Sequence, residues 1–440
     1  MRSDLPVARL RGPRLAALAA CAWLAGCALA PRPAVPPPTP APSPPSAAGS
    51  APGPATSSAP PDTSGAPALD AAQRALLVTH VRPESFRGDS PWATLRASGT
   101  PLPLRDDPTD LDTQLAWSVD GQSRTLAGYL ARQPVTALLI AKDGRIVYER
   151  YRYGATRESL FASQSIAKSI LGVAVGTALA RGRIASVDAP LRQYLPELGD
   201  SNLGRSTLRD HLRMGTGLRY VESYRAGDDH ARFGASAARA GLRAALRELR
   251  DNPLEHPPGS HFSYASFSSV ALSVALREAT GANAARTVED EVWSRLGTEA
   301  PARWQEDGRG VTLGYCCFLA RARDYLRFAW VLANGGARPD DGTQVVPRAF
   351  VDETFDPQRA APPFRRRPGW WGYSNQFWIL GGPDREWAML GIHGQAVFVN
   401  PRARLVMVHF AVAPSARAGD GSLGRERDAL WRAVAARLGS

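Results

Sequence analysis

The chain has 440 residues, of which 44% are hydrophobic, and a formal net charge of +12 at pH 7. Its length allows two or three average domains, or one large domain with appendages. The basic residues are scattered, apart from a short run at 365–367, and no nucleic-acid-binding motif is present, so the charge predicts no nucleic-acid partner. The sequence also has no P-loop, no H-E-x-x-H helix and no G-x-S-x-G elbow, which argues against those enzyme classes.

The first 27 residues have the features of an export signal. Several arginines precede an apolar run at 15–24, which is too short to span a bilayer comfortably. Leu24-Ala25-Gly26-Cys27 is similar to a bacterial lipobox, in which the cysteine is lipidated and becomes the mature amino terminus. We therefore expect a lipoprotein of the cell envelope, anchored to the membrane through Cys27 on the periplasmic side. An ordinary signal cut after residues 28–30, Ala-Leu-Ala, is the alternative, and it also predicts export.

Two segments precede the predicted main domain. Residues 28–68 consist mostly of Pro, Ala, Ser, Thr and Gly, which cannot bury enough surface to fold, so they predict an extended tether. Residues 69–134 are weakly periodic and predict a helix at 70–80 followed by an irregular strap over the main domain. The domain itself is expected at 135–440.

The periodicity of residues 135–440 predicts strands at both ends and helices between them. Residues 135–140 and 146–151 read as a hairpin, and an apolar helix begins at Ser165 and ends near Gly182. Further helices are predicted at 237–250, 269–280, 323–334 and 424–438, a short one begins at 208, and strands are predicted at 370–380, 388–392, 396–399 and 405–412. This order predicts an α/β (α+β) domain whose sheet is assembled from both ends of the segment.

The candidate nucleophile and base lie at the start of the apolar helix, in Ser165-Ile166-Ala167-Lys168. A spacing of three residues puts the hydroxyl and the amine on one helix face, one turn apart. Lysine can activate serine only if burial brings its amine towards neutrality, and the apolar helix supplies that burial. Its amino end also favours negative charge at Ser165. The alternative is a solvent-facing S-x-x-K on an ordinary helix surface.

Lysine usage supports the catalytic interpretation. Among 53 basic residues only Lys142 and Lys168 are lysines. Arginine cannot lose its proton in a protein, so a position that must exchange a proton cannot follow the drift towards arginine. Lys142 weakens this argument, because nothing obvious in its turn requires an amine.

The four cysteines predict neither a structural disulfide nor a metal site. Cys21 lies in the signal and Cys27 in the lipobox, while Cys316 and Cys317 are adjacent in sequence. Adjacent cysteines rarely bond each other, so we expect two buried thiols, and no spacing matches a zinc site. No cofactor is implied.

Three segments together resemble the serine β-lactamase and penicillin-binding superfamily: AKDGRIVYERY at 141–151, QSIAKS at 164–169 and RIASVDAPLRQYLPEL at 183–198. The likeness is to the class C-like branch that includes 6-aminohexanoate-dimer hydrolase and related esterases. It implies a β-lactamase/transpeptidase-like fold, with an antiparallel sheet flanked by helices and an additional all-helical region. It also implies that Ser165 is the nucleophile and Lys168 its base.

The resemblance assigns the other site residues. The family's Tyr-x-Asn or Tyr-x-Ser motif falls on Tyr264-Ala265-Ser266, which makes Tyr264 a proton shuttle and lets Ser266 bond the lysine or the substrate. The third motif falls on Met389-Leu390-Gly391, so the backbone N–H of Ile392 would join that of Ser165 as an oxyanion hole. A second register uses Ile392-His393-Gly394. A tyrosine that covers the substrate is matched by Tyr224, and His393 is expected to orient the substrate.

These residues predict a serine hydrolase that cleaves an amide or ester of a small-molecule or peptide-like acyl substrate through an acyl-enzyme. Met389 and Leu390 replace the Lys and Thr that help to bind a β-lactam carboxylate, which argues against lactam turnover. A penicillin-interacting DD-peptidase or β-lactamase is one alternative. A catalytically silent envelope binding protein with the same fold is another.

Overall fold

The computed structural model describes residues 65–88, 91–356, 370–417 and 422–439. The predicted signal, the lipobox with Cys27 and the predicted tether up to residue 64 lie outside the described residues. Within the described ranges, no helix combines the length and the apolar character that a membrane span requires.

The strands form a large sheet, a smaller sheet and a separate hairpin. Strands β1 to β15, in chain order, are Val81–Arg82, Trp92–Leu95, Arg105–Asp106, Ala116–Val119, Gln122–Thr125, Val135–Lys142, Arg145–Tyr151, Leu160–Ala162, Ala302–Gln305, Phe318–Arg321, Trp370–Ser374, Phe377–Leu380, Trp387–Leu390, Ala396–Asn400 and Leu405–Ala411. The large sheet has the order β11-β12-β13-β14-β15-β6-β7-β3, the smaller one β1-β8-β10-β9-β2, and β4 pairs with β5. Among these described strands, all pairings are antiparallel except that of β3 with β7.

Thirteen α-helices surround these sheets in the described part of the chain. Helices α1 to α13, in chain order, are Ala71–His80, Leu111–Gln114, Leu126–Arg132, Ile166–Ala180, Asn202–Arg205, Leu208–Leu212, Asp229–Ala240, Leu242–Glu248, Ser266–Thr280, Ala284–Glu291, Ala322–Ala333, Arg348–Phe355 and Ser422–Leu438. Short 3₁₀ turns lie at Leu191–Gln193, Pro196–Leu198, Trp293–Arg295 and Ile392–Gly394.

The central strands of the large sheet are buried on both faces. Successive side chains of a strand point to opposite faces, so Leu139 and Val408 enter one apolar cluster while Ile140 and Met407 enter the other. Helix α11 covers the first face, and α13 packs on the second. This three-layer arrangement explains why these strands are almost continuously apolar.

Helix α4 is the buried axis of the domain. Thirteen of its fifteen residues are buried, and it contacts α9, α10 and α12 as well as strands β12 and β13. Its glycines permit close packing: a Cβ on Gly172 would lie 2.4 Å from the carbonyl oxygen of Asn375, in the turn between β11 and β12. Helix α4 is therefore anchored to the hairpin β11–β12 at the edge of the large sheet.

Two predicted elements are each split in the structure. The helix predicted at 237–250 is broken between α7 and α8 at Gly241, whose φ is +91°. The strand predicted at 370–380 is the hairpin β11–β12, turned by Asn375 and Gln376, which both have positive φ. Asn375 is a residue type that tolerates a left-handed turn, but no glycine or proline lies next to it to mark the turn more strongly within this apolar run.

Candidate active site

A left-handed residue positions the start of helix α4. Strand β8 ends at Ala162, Ser163 is buried, and Gln164 adopts φ +45° before Ser165 begins the helix as its N-cap residue. The Ser163 backbone N–H donates to the Phe318 carbonyl at 2.8 Å. The backbone thus turns sharply out of the smaller sheet, and Ser165 lines a cavity of about 150 Å³.

Lys168 points from helix α4 at Ser165. Its Nζ lies 2.9 Å from Ser165 Oγ and donates to the Tyr315 carbonyl, also at 2.9 Å. Only 1% of the Lys168 surface is exposed. Burial lowers the pKa of the amine to about 8, while the carboxylate of Glu222 acts in the opposite direction. The alternative that this S-x-x-K lies on a solvent-facing helix surface is therefore wrong.

Tyr264 lies against the same pair. The Lys168 Nζ is 5.1 Å from the centroid of its ring, and its hydroxyl interacts with the Ser165 side chain. The ring stacks on Trp378 at 5.8 Å and meets Tyr373 edge-on. Burial raises the pKa of the Tyr264 phenol, the Glu222 charge raises it further, and the bond with Ser165 opposes both.

These pKa values divide the proton chemistry between the two groups. Near neutral pH, Tyr264 is protonated and can donate, whereas Lys168, with a pKa of about 8, has a substantial uncharged fraction. A general base works best when its pKa lies close to the operating pH. The arrangement suits Lys168 to take a proton from Ser165 and Tyr264 to deliver one elsewhere.

The segment after β13 forms the opposite wall of the cavity. Ile392 and His393 line it together with Ser165. Gly391 packs against the chain just before Ser165, since a Cβ there would lie 2.8 Å from the Ser163 carbonyl oxygen. The His393 ring is held by the Ala413 carbonyl at 2.8 Å, and burial lowers its pKa, so it is a neutral, fixed group.

Tyr224 and Ser266 also line the cavity, and both bind a third residue, Glu222. The Tyr224 hydroxyl donates to Glu222 at 2.9 Å, and the Ser266 hydroxyl donates to it at 2.8 Å. Ser266 was expected to bond the lysine or the substrate, but here its hydroxyl bonds the Glu222 carboxylate. Glu222 was not predicted, because nothing in its local sequence distinguishes it from a surface acid.

Helix α1, from the predicted strap, supplies another part of the wall. Leu76 and His80 line the cavity, and the His80 ring contacts both Gln164, at 3.0 Å, and the edge of His393, at 5.5 Å. Burial is the main cause that lowers the pKa of His80 to about 3, so this ring is neutral. The predicted helix at 70–80 is present, but its part in the cavity was not foreseen.

The prediction of two free thiols at Cys316 and Cys317 is wrong, because these adjacent residues form a disulfide. In an ordinary extended backbone, adjacent side chains point to opposite sides, which keeps two neighbouring sulfurs apart. Cys317 instead has φ +65°, in the left-handed region, and this turn brings the two sulfurs together. Both residues line the cavity, directly after the Tyr315 carbonyl that receives Lys168.

No group of three or more His, Cys, Asp or Glu in the described ranges has the arrangement of a metal site.

Most of the residues that line this cavity lie in a region that matches a known protein family. The family model described as Beta-lactamase matches residues 123–416, which include Ser165, Lys168, Tyr264 and Ile392. The chain belongs to the beta-lactamase family. Helix α1 lies before the matched residues, so its part of the cavity wall is outside the region that defines the family.

Relatives within the beta-lactamase family include named hydrolases. The 6-aminohexanoate-dimer hydrolase of Paenarthrobacter ureafaciens is 25% identical over 291 residues, which is 63% of this chain and 72% of that protein. Esterase EstB of Burkholderia gladioli is 33% identical over 175 residues, 36% of this chain and 44% of EstB. A solved structure from Bacillus anthracis, assigned as a 6-aminohexanoate-dimer hydrolase, has a TM-score of 0.67 at 22% identity and covers 79% of this chain and 91% of that one.

These comparisons confirm the predicted superfamily and the predicted fold class. The large antiparallel sheet with helices on its faces is the fold of beta-lactamase relatives, and the chain is a serine hydrolase by family. The residue roles and the bond that is cleaved belong to the proposal below.

Proposed function

We propose that this protein hydrolyses an ester or linear amide through an acyl-enzyme on Ser165, with Lys168 as general base and Tyr264 as proton shuttle. The observation that carries the proposal is the 2.9 Å contact between the Lys168 amine and the Ser165 hydroxyl, made by an amine that is buried and has a pKa of about 8. An unprotonated amine in that position can accept the serine proton as the bond to the substrate forms.

The proposed reaction has two halves. Ser165 Oγ attacks the acyl carbon and passes its proton to Lys168 Nζ, while the backbone N–H groups of Ser165 and Ile392 bind the developing oxyanion. Tyr264 delivers a proton to the leaving alcohol or amine and is reprotonated from Lys168. Water then attacks the acyl-enzyme, its proton returns through the same groups, and the acid leaves with Ser165 restored.

The wall near β13 favours an ester or linear amide over a β-lactam. Met389 is fully buried in the strand, and Leu390 is partly buried beside it. Neither side chain can bind a carboxylate by charge or hydrogen bond, as the family's Lys and Thr do in lactam-reactive members. A cavity of about 150 Å³ suits a small acyl group, and His80 and His393 present neutral rings to it.

Hydrolysis of p-nitrophenyl butyrate by the full chain, with mass analysis of the Ser165 peptide after rapid acid quench, tests this proposal. We expect turnover and a butyryl adduct on Ser165, and loss of both in Ser165→Ala. A chromogenic cephalosporin assayed in parallel should give no comparable turnover. Folded protein that hydrolyses neither compound, or a Ser165→Ala variant with wild-type turnover, would contradict the proposal.

We also propose that the hydrolase is exported and held at the cell envelope by a lipid on Cys27. The arginine-rich lead, the short apolar run and the lipobox-like Leu24-Ala25-Gly26-Cys27 support this location. The Pro-rich residues 28–68 would then separate the catalytic domain from the membrane.

A further inference from the structure

Glu222 is a buried carboxylate in the active site for which the proposed reaction has no use. It lines the cavity that contains Ser165, yet only 1% of its side chain is exposed. A buried charge is costly unless several hydrogen bonds or an opposite charge satisfy it. The contacts of Glu222 therefore indicate what retains it there.

The carboxylate joins two separate parts of the site. Its Oε2 accepts the backbone N–H of Ser266 at 2.6 Å, at the amino end of helix α9, where a negative charge is favoured. Its Oε1 accepts the hydroxyls of Ser266, at 2.8 Å, and of Tyr224, at 2.9 Å. Glu222 thus ties the residue that ends the Tyr-x-Ser motif to the loop tyrosine that faces the substrate.

The Tyr224 loop has a second attachment through the backbone of Glu222. The guanidinium of Arg417 donates to the Glu222 carbonyl and lies over the Tyr224 ring, 5.8 Å from its centroid. Tyr224 itself has φ +60°, a conformation that a bulky residue adopts only when its surroundings hold it. Without the carboxylate, the loop would keep the Arg417 contact but lose the bond that orients the phenol.

The charge of Glu222 also affects the pKa values of Lys168 and Tyr264. It raises the pKa of Lys168 against the effect of burial, and it raises the pKa of Tyr264. The titratable or charged groups that face it are Lys168 on α4, Tyr264 before α9, Tyr220 and Tyr224 on its own loop, His230 on α7 at 3.8 Å, Tyr373 on β11, and Arg417.

We propose that Glu222 is a positioning residue of this hydrolase, which holds Tyr224 over the substrate and places one negative charge in the wall of the cavity that Ser165 lines. The inference rests on the proposed function. Glu222 would therefore act in two ways. Its hydrogen bonds hold Tyr224 and Ser266 in place, and its charge raises the pH at which Lys168 loses its proton.

The dependence of kcat/KM on pH distinguishes the charge from a structural role. The base must be unprotonated, so activity rises as pH increases through the pKa of Lys168. Glu222→Gln keeps the shape and one acceptor oxygen of the side chain but removes its charge. Nothing from Glu222 then opposes the lowering of the Lys168 pKa by burial. We expect the midpoint of the rising limb to move to lower pH, and KM to increase because Tyr224 is less well held. A purely structural role would lower the rate without moving the midpoint.

Glu386→Gln is the matched control for replacing a buried carboxylate. Glu386 accepts bonds from Asn400 and Trp431 on the far side of the large sheet and does not line the cavity. We expect this variant to have a pH midpoint equal to that of the wild type. The conservative variant Glu222→Asp retains the charge, and it should restore the midpoint while KM stays high.

The outcomes separate this inference from the proposed function. Loss of p-nitrophenyl butyrate hydrolysis in Ser165→Ala establishes the reaction first. If Glu222→Gln then retains the wild-type midpoint, the inference is overturned while the proposed function stands. Should Glu222→Gln not fold, Tyr224→Phe tests the positioning half, because it removes the same bond. Because Tyr224→Phe leaves the Glu222 charge in place, an increased KM with the wild-type pH midpoint in this variant supports the inference. An unchanged KM in Tyr224→Phe contradicts it.

Discussion

At the scale of single residues, the proposed chemistry depends on Lys168. Its amine has left solvent almost completely and, with a pKa of about 8, is uncharged in about a tenth of molecules at pH 7. Its neighbour Tyr264 keeps its proton because burial and the Glu222 charge both oppose ionisation. Of these two candidates for the base, the geometry and the protonation states favour the lysine.

Lys168→Arg should reduce kcat/KM for p-nitrophenyl butyrate by about a hundredfold or more, because a guanidinium cannot accept the serine proton. The only other lysine of the chain, Lys142, donates to the Ala403 carbonyl at 2.7 Å at the far end of β6 and provides the matched control. Lys142→Arg should retain wild-type activity. Equal activity of the two variants would rule out Lys168 as the base.

The sequence predicted the parts of the site that are close together along the chain. Ser165 and Lys168 meet because three residues make about one helical turn, which is a local property. The disulfide of Cys316 with Cys317 is an exception: the two residues are adjacent, but their pairing depends on one left-handed residue that no sequence pattern marks. Glu222 reaches the lysine only through the packing of α4, α9 and the Tyr224 loop.

At the scale of elements, the contact between helix α4 and the β11–β12 turn fixes the nucleophile relative to the large sheet. Ser169 Oγ donates to the Gln376 carbonyl at 2.7 Å, and Ser269 on α9 donates to the Gln376 side chain at 2.7 Å. The Gln376 amide in turn donates to the His211 carbonyl at 2.8 Å. One buried glutamine thus joins α4, α6 and α9 around the site.

Gly172→Ala should destabilise the protein by about 1–3 kcal/mol, because its Cβ would meet the Asn375 carbonyl oxygen at 2.4 Å, and a backbone atom cannot rotate away. Thermal unfolding measures the change. Gly99→Ala is the control, since Gly99 has no positive φ and no atom within 4 Å of the added Cβ. Equal melting temperatures for both variants would show that the α4 contact is looser than described.

Helix α1 should influence which acyl groups are accepted. Leu76 lines the cavity, whereas Val78, on the same helix, is 64% exposed. Leu76→Ala enlarges the cavity, so the ratio of kcat/KM for a longer p-nitrophenyl ester to that for the acetate should rise by about threefold or more. Val78→Ala should leave that ratio unchanged. A ratio unaffected by Leu76→Ala would place the acyl group elsewhere.

Element prediction succeeded where an apolar run is long and failed where a single residue changes direction. The hairpin of β6 and β7 and the helix α4 lie close to their predicted positions, because each is a long, mainly apolar run bounded by clear turn residues. Gly241 and the Asn375-Gln376 turn each divided one predicted element into two.

At the scale of the whole molecule, the segment at 69–134 contributes strands to both of the larger sheets. Strands β1 and β2 complete the two edges of the smaller sheet, and β3 extends the large sheet beside β7. Helix α1 meanwhile reaches the cavity. The segment between the predicted tether and the main domain therefore supplies both edge strands of the smaller sheet and part of the cavity wall.

The proposed anchor predicts where the full chain resides in a bacterial host. Cys27→Ser should move the hydrolase from the membrane fraction to the soluble periplasmic fraction, with its activity per molecule unchanged, because the lipid is lost and the domain is not altered. Cys21→Ser, within the predicted signal, should leave the protein in the membrane fraction. A wild-type protein found only in the soluble fraction would favour cleavage after residues 28–30 instead.

The rate at which a fluorophosphonate probe labels Ser165, measured as a function of pH, tests the central claim most directly, because labelling requires an activated serine but no substrate release. We predict a rate that rises with pH to a plateau, with a midpoint near pH 8 set by Lys168, and no labelling in Lys168→Arg. A labelling rate that is independent of pH, or an adduct on a serine other than Ser165, would contradict the claim.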